Sequence, residues 1–289
     1  ALTKSTAGIV TLSGANTYSG GTTLSAGTIL AGSTSSLVGA YTVSGGTLDL
    51  ATFSNTLGAV TYSAGSITGT TGILSAASLT ATHTSGTLTL AALVGGSTAL
   101  TMNGVGGTLT IARANTSFTG TTTLTNGTLA FGVDDALPGA ITVNGGTLDL
   151  NATAIGQIAN VITVTSGLVI GGAAASAAPT SGTVAVTTVL TGAADLTKAD
   201  AGTLTLSTPH FHTGATVANV AGAVIRASHL ADTGSSLGAG TLTDPTKLQL
   251  GAGAVLEFTG ATTTTSTRSF TVTDSAGITT AAGAAGLTF

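Results

Sequence analysis

Four sets of residues in this 289-residue chain have types and spacings that could do chemistry. The run Gly234-Ser235-Ser236-Leu237-Gly238 fits Gly-x-Ser-x-Gly, the turn that presents a nucleophilic serine. That turn works at a strand-to-helix junction with a histidine and an acid close by. No helix is legible around it, and a chain this rich in Gly and Ser produces the pattern by chance. His210-Phe211-His212 would set two imidazoles on one face of a strand, half of a metal site. His83 and His229 are remote in sequence, and no Cys or nearby carboxylate pair completes a tetrahedral set. His212 is better read as filling a packing slot. Asp49, Asp149 and Glu257 recur at matching places along the chain. In stacked coils they would lie some 20–25 Å apart, too far to share a proton or a calcium ion. Asp134-Asp135, ahead of Pro138-Gly139, reads as an ordinary turn. These readings predict a protein that is not an enzyme, with no catalytic, cofactor-binding or metal-ligating residue and no cofactor.

Composition narrows the class further. Thr (63) and Gly (43) dominate, and charged residues make up 6%, against about 25% in an ordinary domain. Six Lys and Arg in a chain of net charge −4 form no basic stripe, so nucleic acid is excluded as a partner. No run approaches the length of apolar chain that spans a membrane as a helix. Disorder is disfavoured because 42% of residues are hydrophobic. Collagen is excluded by the lack of a Gly triplet with abundant Pro, and helical bundles by the weak helix propensity of Thr, Gly and Ser. The absence of Cys removes disulfide staples. A start at Ala with no visible leader reads as a mature or excised segment. An all-β protein of small residues remains.

The elements that must carry these residues are legible as repeats. GTLDL (46–50 and 146–150), GTLTL (86–90 and 202–206), GTLTI (107–111) and GTLAF (127–131) are each a Gly followed by alternation of period two. Leu48 and Leu50 would face inward while Thr47 and Asp49 face out, and the preceding Gly would turn the corner at positive φ. Above this lies a longer period. Segments starting at Leu2, Leu100 and Leu196 match, which divides the chain into three imperfect copies of about 97 residues at 1–99, 100–195 and 196–289. Strands this closely spaced suit coils of roughly 18–24 residues that bury their apolar faces on one another. About 13–15 coils at 4.8 Å would make one continuous rod of roughly 65–70 Å. The expected fold is a single-stranded parallel β-helix (β-solenoid). Its core would be columns including Leu48, Leu50, Leu88, Leu90, Leu109, Ile111, Leu129, Leu148, Leu150, Leu204 and Leu206.

The run GANTYSGGTTLSAGTIL (14–30) resembles the passenger-associated repeat of bacterial autotransporters. Gly14, Asn16, Thr17, Tyr18, Gly20, Gly21, Thr22, Thr23, Gly27 and Thr28 carry the likeness, with Ile29 where Leu is usual. The second copy keeps Asn115, Thr116, Phe118, Gly120, Thr121, Thr122, Gly127, Thr128 and Leu129, with one residue inserted before the aromatic. The third keeps Thr213, Gly214 and Thr216, with His212 in the aromatic slot. The resemblance implies a right-handed β-helix on the bacterial cell surface, in adhesins or structural proteins, with no catalytic residue.

The C-terminal AAGAAGLTF and N-terminal ALTKSTAG would join as another internal junction, and neither end reads as a polar cap. The expected function is therefore a non-enzymatic extracellular structural protein. It would be a segment or subunit of a bacterial surface fibre that stacks end to end on itself. The alternative is an adhesin passenger, in which a face or a loop such as 132–139 or 207–213 contacts a host or neighbouring-cell surface. A third reading takes the Thr-x-Thr pairs Thr87/Thr89, Thr108/Thr110, Thr203/Thr205, Thr241/Thr243 and Thr271/Thr273 as an ice-binding array. That array requires the pairs to align over many successive coils; otherwise Thr is simply the strand-favouring polar residue of a wet face.

Overall fold

The computed structural model describes residues 1–133, 136–150, 157–158, 162–164, 168–170, 183–186, 190–192, 195–198, 201–232, 234–239 and 242–289, with side chains described outside 150–192. Asp134, Asp135 and Thr241, and the burial of Leu150, fall outside the described residues. The chain forms two compact units, Ala1–Gly139 and Ala140–Phe289. Both are built from parallel strands stacked as a β-solenoid, about 12 turns in all.

In the first unit each coil advances the chain by 19 to 23 residues, so that Leu2 lies opposite Thr22, Thr22 opposite Tyr41, Tyr41 opposite Val60, Ile67 opposite Leu90 and Leu100 opposite Thr122. One inner column runs Leu24, Val43, Tyr62, with Met102 and Leu124 further along, all fully buried. On a second face Ile29, Leu48, Ile67, Leu90 and Ile111 form a column, again fully buried. Leu88, Leu109 and Leu129 stack beside it. Every described leucine or isoleucine expected in the core is buried. The alternation decides this locally. A strand's side chains point to opposite faces in turn, so Thr47 and Asp49 come out half-buried while Leu48 and Leu50 go in. Each buried Leu or Ile contributes roughly 1.5–3 kcal/mol.

The corners follow the glycines. Gly27, Gly46, Gly86, Gly127, Gly146 and Gly202 all have φ between 67° and 91°, in the region that side chains with a Cβ rarely adopt.

The second unit uses the same plan with longer excursions. Leu204, Ile225 and Leu256 form one buried column, and Leu206, Ala227 and Phe258 the next. A second face pairs Leu196 with Thr216 and Thr216 with Leu248. That last step takes 32 residues, and the step from Ile162 to Leu190 takes 28. These insertions explain why the turns are fewer than the 13–15 expected from a uniform coil length. The longer excursion contains the only 3-10 helix among the described residues, Pro245–Lys247. Asp244 caps it, its carboxylate accepting from Thr246 N at 2.9 Å. The same excursion carries residues 228–232 and 234–239 over the loop that precedes the strand Phe211–His212.

Candidate functional site

At the coil corners, polar side chains substitute for missing backbone pairing. Asn115 is buried; its Oδ1 accepts from Val94 N at 2.6 Å, and its Nδ2 donates to Arg113 O at 2.8 Å and Ala136 O at 2.6 Å. It thereby ties three successive coils together. Asn55 ties two coils in the first copy, accepting from Leu37 N at 2.9 Å and donating to Phe53 O at 3.1 Å. Asn16 donates to Ser36 O at 2.7 Å. The aromatic slot is also structural. The Tyr18 hydroxyl lies 3.1 Å from Thr22 Oγ1 and 3.2 Å from the Tyr41 hydroxyl. His212 Nε2 meets Thr216 Oγ1 at 3.0 Å in the equivalent place, so the imidazole does fill the packing slot.

His210 and His212 lie on one side of their strand, both buried, with ring centroids 6.5 Å apart and Phe211 pointing out. Among the described residues no group of three His, Cys, Asp or Glu gathers to hold a metal ion. Burial, together with the neighbouring His212, pushes the His210 pKa down to about 4. Burial also pushes His212 down to about 4, assisted by the positive charge of Arg268 and opposed by Asp195. Both rings are thus neutral at pH 7. Thr216 Oγ1 donates to Leu237 O at 3.2 Å, so it must accept from His212, which sets the tautomer with the proton on Nε2.

The Gly-x-Ser-x-Gly run packs directly against this pair. Ser235 O accepts from His210 N at 2.9 Å, and Ser235 Oγ accepts from Leu237 N at 3.0 Å. Ser236 is fully buried, with its Oγ accepting from His229 N at 3.2 Å. Among the described residues no α-helix follows it. These serines brace a turn, and Ser236 is not presented to solvent. His210, Phe211, Asp232, Gly234, Ser235, Gly238, Ala239 and Arg268 enclose a cavity of about 180 Å³. Arg268 is 4% exposed and donates from Nη2 to Gly238 O at 3.0 Å. Burial lowers its pKa while Asp232 raises it; a guanidinium stays charged regardless. Asp232 sits exposed at the rim and accepts from Thr267 N, Thr267 Oγ1 and Ser266 Oγ at 2.8–3.1 Å, which holds its carboxylate below the usual range.

The remaining sequence candidates separate. Asp49 accepts from Ala51 N at 2.8 Å and closes its own corner. Glu257 pairs with Arg226 on the adjacent coil, where the two residues are in register. Asp149 sits half-buried on the strand Thr147–Leu150. Asp49 and Glu257 thus serve different local contacts. Thr87/Thr89 and Thr108/Thr110 align on neighbouring coils, but the next coil offers Thr128 and Ala130. Thr203/Thr205 meet Val224 and Arg226. A single-file column Thr3, Thr23, Thr42 and Thr61 does run along one exposed face. The serines beside it, Ser25, Ser44 and Ser63, turn their hydroxyls back to carbonyls of the preceding coil at 3.4–3.5 Å. Among the described residues the paired array that ice binding requires is therefore two coils long.

The passenger-associated-transport-repeat family matches the chain three times, over residues 2–31, 100–131 and 196–224. The chain carries three passenger-associated-transport repeats. Searches of curated proteins and of solved structures gave no match.

In each passenger repeat the opening Leu-Thr strand contains a buried position that composition alone does not flag. Lys4 and Lys198 occupy it in the first and third repeats, and Met102 in the second; all three are buried. Lys4 Nζ caps the corner carbonyls of Thr6, Ala7 and Ala26. Lys198 Nζ donates to Ala201 O at 3.2 Å, and burial pushes its pKa down to about 8. The alternation Leu-Thr-Lys already put the lysine on the leucine side, so the signal was present. Arg268 was missed in the same way, on the inward side of Ser266-Thr267-Arg268.

The corner asparagine of the repeat yields a direct prediction. Asn115→Ala strands one buried N–H, one buried carbonyl and one partly buried carbonyl and is expected to cost roughly 2–4 kcal/mol. Asn16→Ala, at a wetter corner, is expected to cost less than about 1 kcal/mol. Urea unfolding midpoints would check the contrast, and equal losses would show that Asn115 carries no special share.

Proposed function

We propose that this chain is a non-enzymatic structural segment of a bacterial surface fibre, displayed outside the cell, whose coil stack is continued end to end. One observation carries the reading most. The residues that define the passenger repeat, Asn115, Tyr18 and the corner glycines among them, bond from coil to coil and present no reactive group. A repeat spent on stacking builds length. The terminal coils favour continuation. In the coil of the strand Ile9–Leu12, Ile9 is 68% and Val10 36% exposed. In the last coils Val272 is 39% and Phe289 48% exposed, around an apolar opening of about 630 Å³ that Phe270, Ile278 and Leu287 also line. Parallel backbone edges and apolar side chains at both places match what a further coil would cover. A head-to-tail contact of this kind does not close and generates a fibre.

The test is direct. The purified chain should form rods longer than one molecule in negative-stain images, with sedimentation that rises with concentration. Ile9→Lys and Phe289→Lys should shorten them. Particles of one fixed length and one sedimentation coefficient from micromolar to millimolar concentration would reject end-to-end stacking.

A further inference from the structure

The cavity beside His210 has the makings of a ligand site that the fibre reading does not use. Arg268 is enclosed to 4% exposure, yet its Nε and Nη1 donors find no acceptor; Nη2 alone is engaged, by Gly238 O. A guanidinium cannot shed its charge to lower the cost of burial. A buried charge whose donors lack acceptors is costly, and Asp232 offsets this one only through space. Asp232, the nearest carboxylate named at the rim, spends its oxygens on Ser266 and Thr267 and makes no hydrogen bond to Arg268. The histidines add no second positive charge at neutral pH, because both are neutral there. Arg268 lines a space of about 180 Å³ that Gly234, Gly238 and Ser235 also wall. Gly238 also allows the close approach of His212, since a Cβ there would fall 2.5 Å from His212 O and 2.7 Å from its ring. Phe211, 55% exposed, stands at the mouth.

We propose that this cavity binds a small oxyanion, with Arg268 as the residue that recognises it. The chemistry is that of a carboxylate or phosphate oxygen meeting forked N–H donors in a site screened from water. The volume admits one such group. The anion comes either as a free ion or as the carboxylate of an acidic sugar whose ring lies against Phe211. This site is independent of the end-to-end contact: it can be filled in a monomer and empty in a fibre.

The experiment follows the Arg268 Nε–H resonance of the isotope-labelled whole chain by NMR. Sodium phosphate, acetate or glucuronate is titrated to tens of millimolar, with ionic strength held constant by sodium chloride. At least one probe should shift that resonance saturably and raise the melting temperature by a few degrees. Arg268→Gln should lose the saturable thermal response. Because Arg268→Gln could unfold the coil, the wild-type resonance is the deciding readout. Saturation by phosphate assigns a free inorganic ion, and saturation by glucuronate that weakens at least threefold in Phe211→Ala assigns an acidic sugar; either supports the site. An Nε–H signal that all three probes leave unmoved, or a thermal response retained in folded Arg268→Gln, overturns it.

Discussion

Leu109→Asp is expected to abolish cooperative folding of the coils around it. Leu109 is fully buried and sits in register between Leu88 on one coil and Leu129 on the next. Removing the side chain forfeits roughly 1.5–3 kcal/mol of burial. The carboxylate that replaces it has no cation on its face, and an unpaired charge in such a place costs several kcal/mol more. The total, about 5 kcal/mol or above, is comparable to the whole net stability of an ordinary domain. In a stack where each coil rests on its neighbours, the damage should spread outward from the altered coil. Limited proteolysis should then cut first between about residues 85 and 131, and the circular-dichroism melt should broaden or drop by tens of degrees. Thr110→Asp is the matched control. Thr110 lies one residue on, half-buried on the outer face, where the same charge should cost no more than about 1 kcal/mol. Equal melting curves for the two variants would show that the register assigned to this strand is wrong.

Gly46→Ala should also cost several kcal/mol, about 2–5, through a different cause. Gly46 has φ 67°, a conformation that costs an L-residue roughly 1–2 kcal/mol. A Cβ there would also fall 2.4 Å from Gly27 O and 2.9 Å from Ala26 C. Those atoms are backbone of the preceding coil, so they cannot swing aside, and the overlap adds about 1–3 kcal/mol. Gly86 separates the two contributions. Its φ is 72°, but a Cβ would meet nothing within 4 Å. Gly86→Ala should therefore show the dihedral cost alone. Unfolding in urea should give a loss for Gly46→Ala about twice that for Gly86→Ala or more. Matching losses would mean that the corner has room and that close stacking does not limit it.

The same comparison shows what was open to reading in advance. Gly-Thr-Leu-Asp-Leu carries its own instructions, since alternation and a corner glycine are properties of five consecutive residues. Leu48, Leu50 and Gly46 accordingly appear as expected. The copies starting at Leu2, Leu100 and Leu196 were legible because a repeat is a statement about sequence. His212 was legible as a stand-in for Tyr18 because the copies align, and Thr216 receives it as Thr22 receives Tyr18. The cavity was not. Arg268 meets Gly238 across 30 residues and lies beside His210 across 58. These separations depend on how far each excursion runs before the chain rejoins the stack.

By itself, then, the sequence determined the unit of construction: which residues turn inward, where the chain bends, and that coils must cover one another. Those are short-range consequences of strand pleat and glycine dihedral freedom. Only the tertiary structure decided which residues from different coils meet. It turned the Gly-x-Ser-x-Gly run into a brace, parted Asp49 from any shared site, and closed Arg268 into a cavity with two donors unspent. The physical reason is that coil length varies from 19 residues to 32 along the chain. Register across coils is settled by backbone pairing between neighbours, and no local pattern of side chains encodes it.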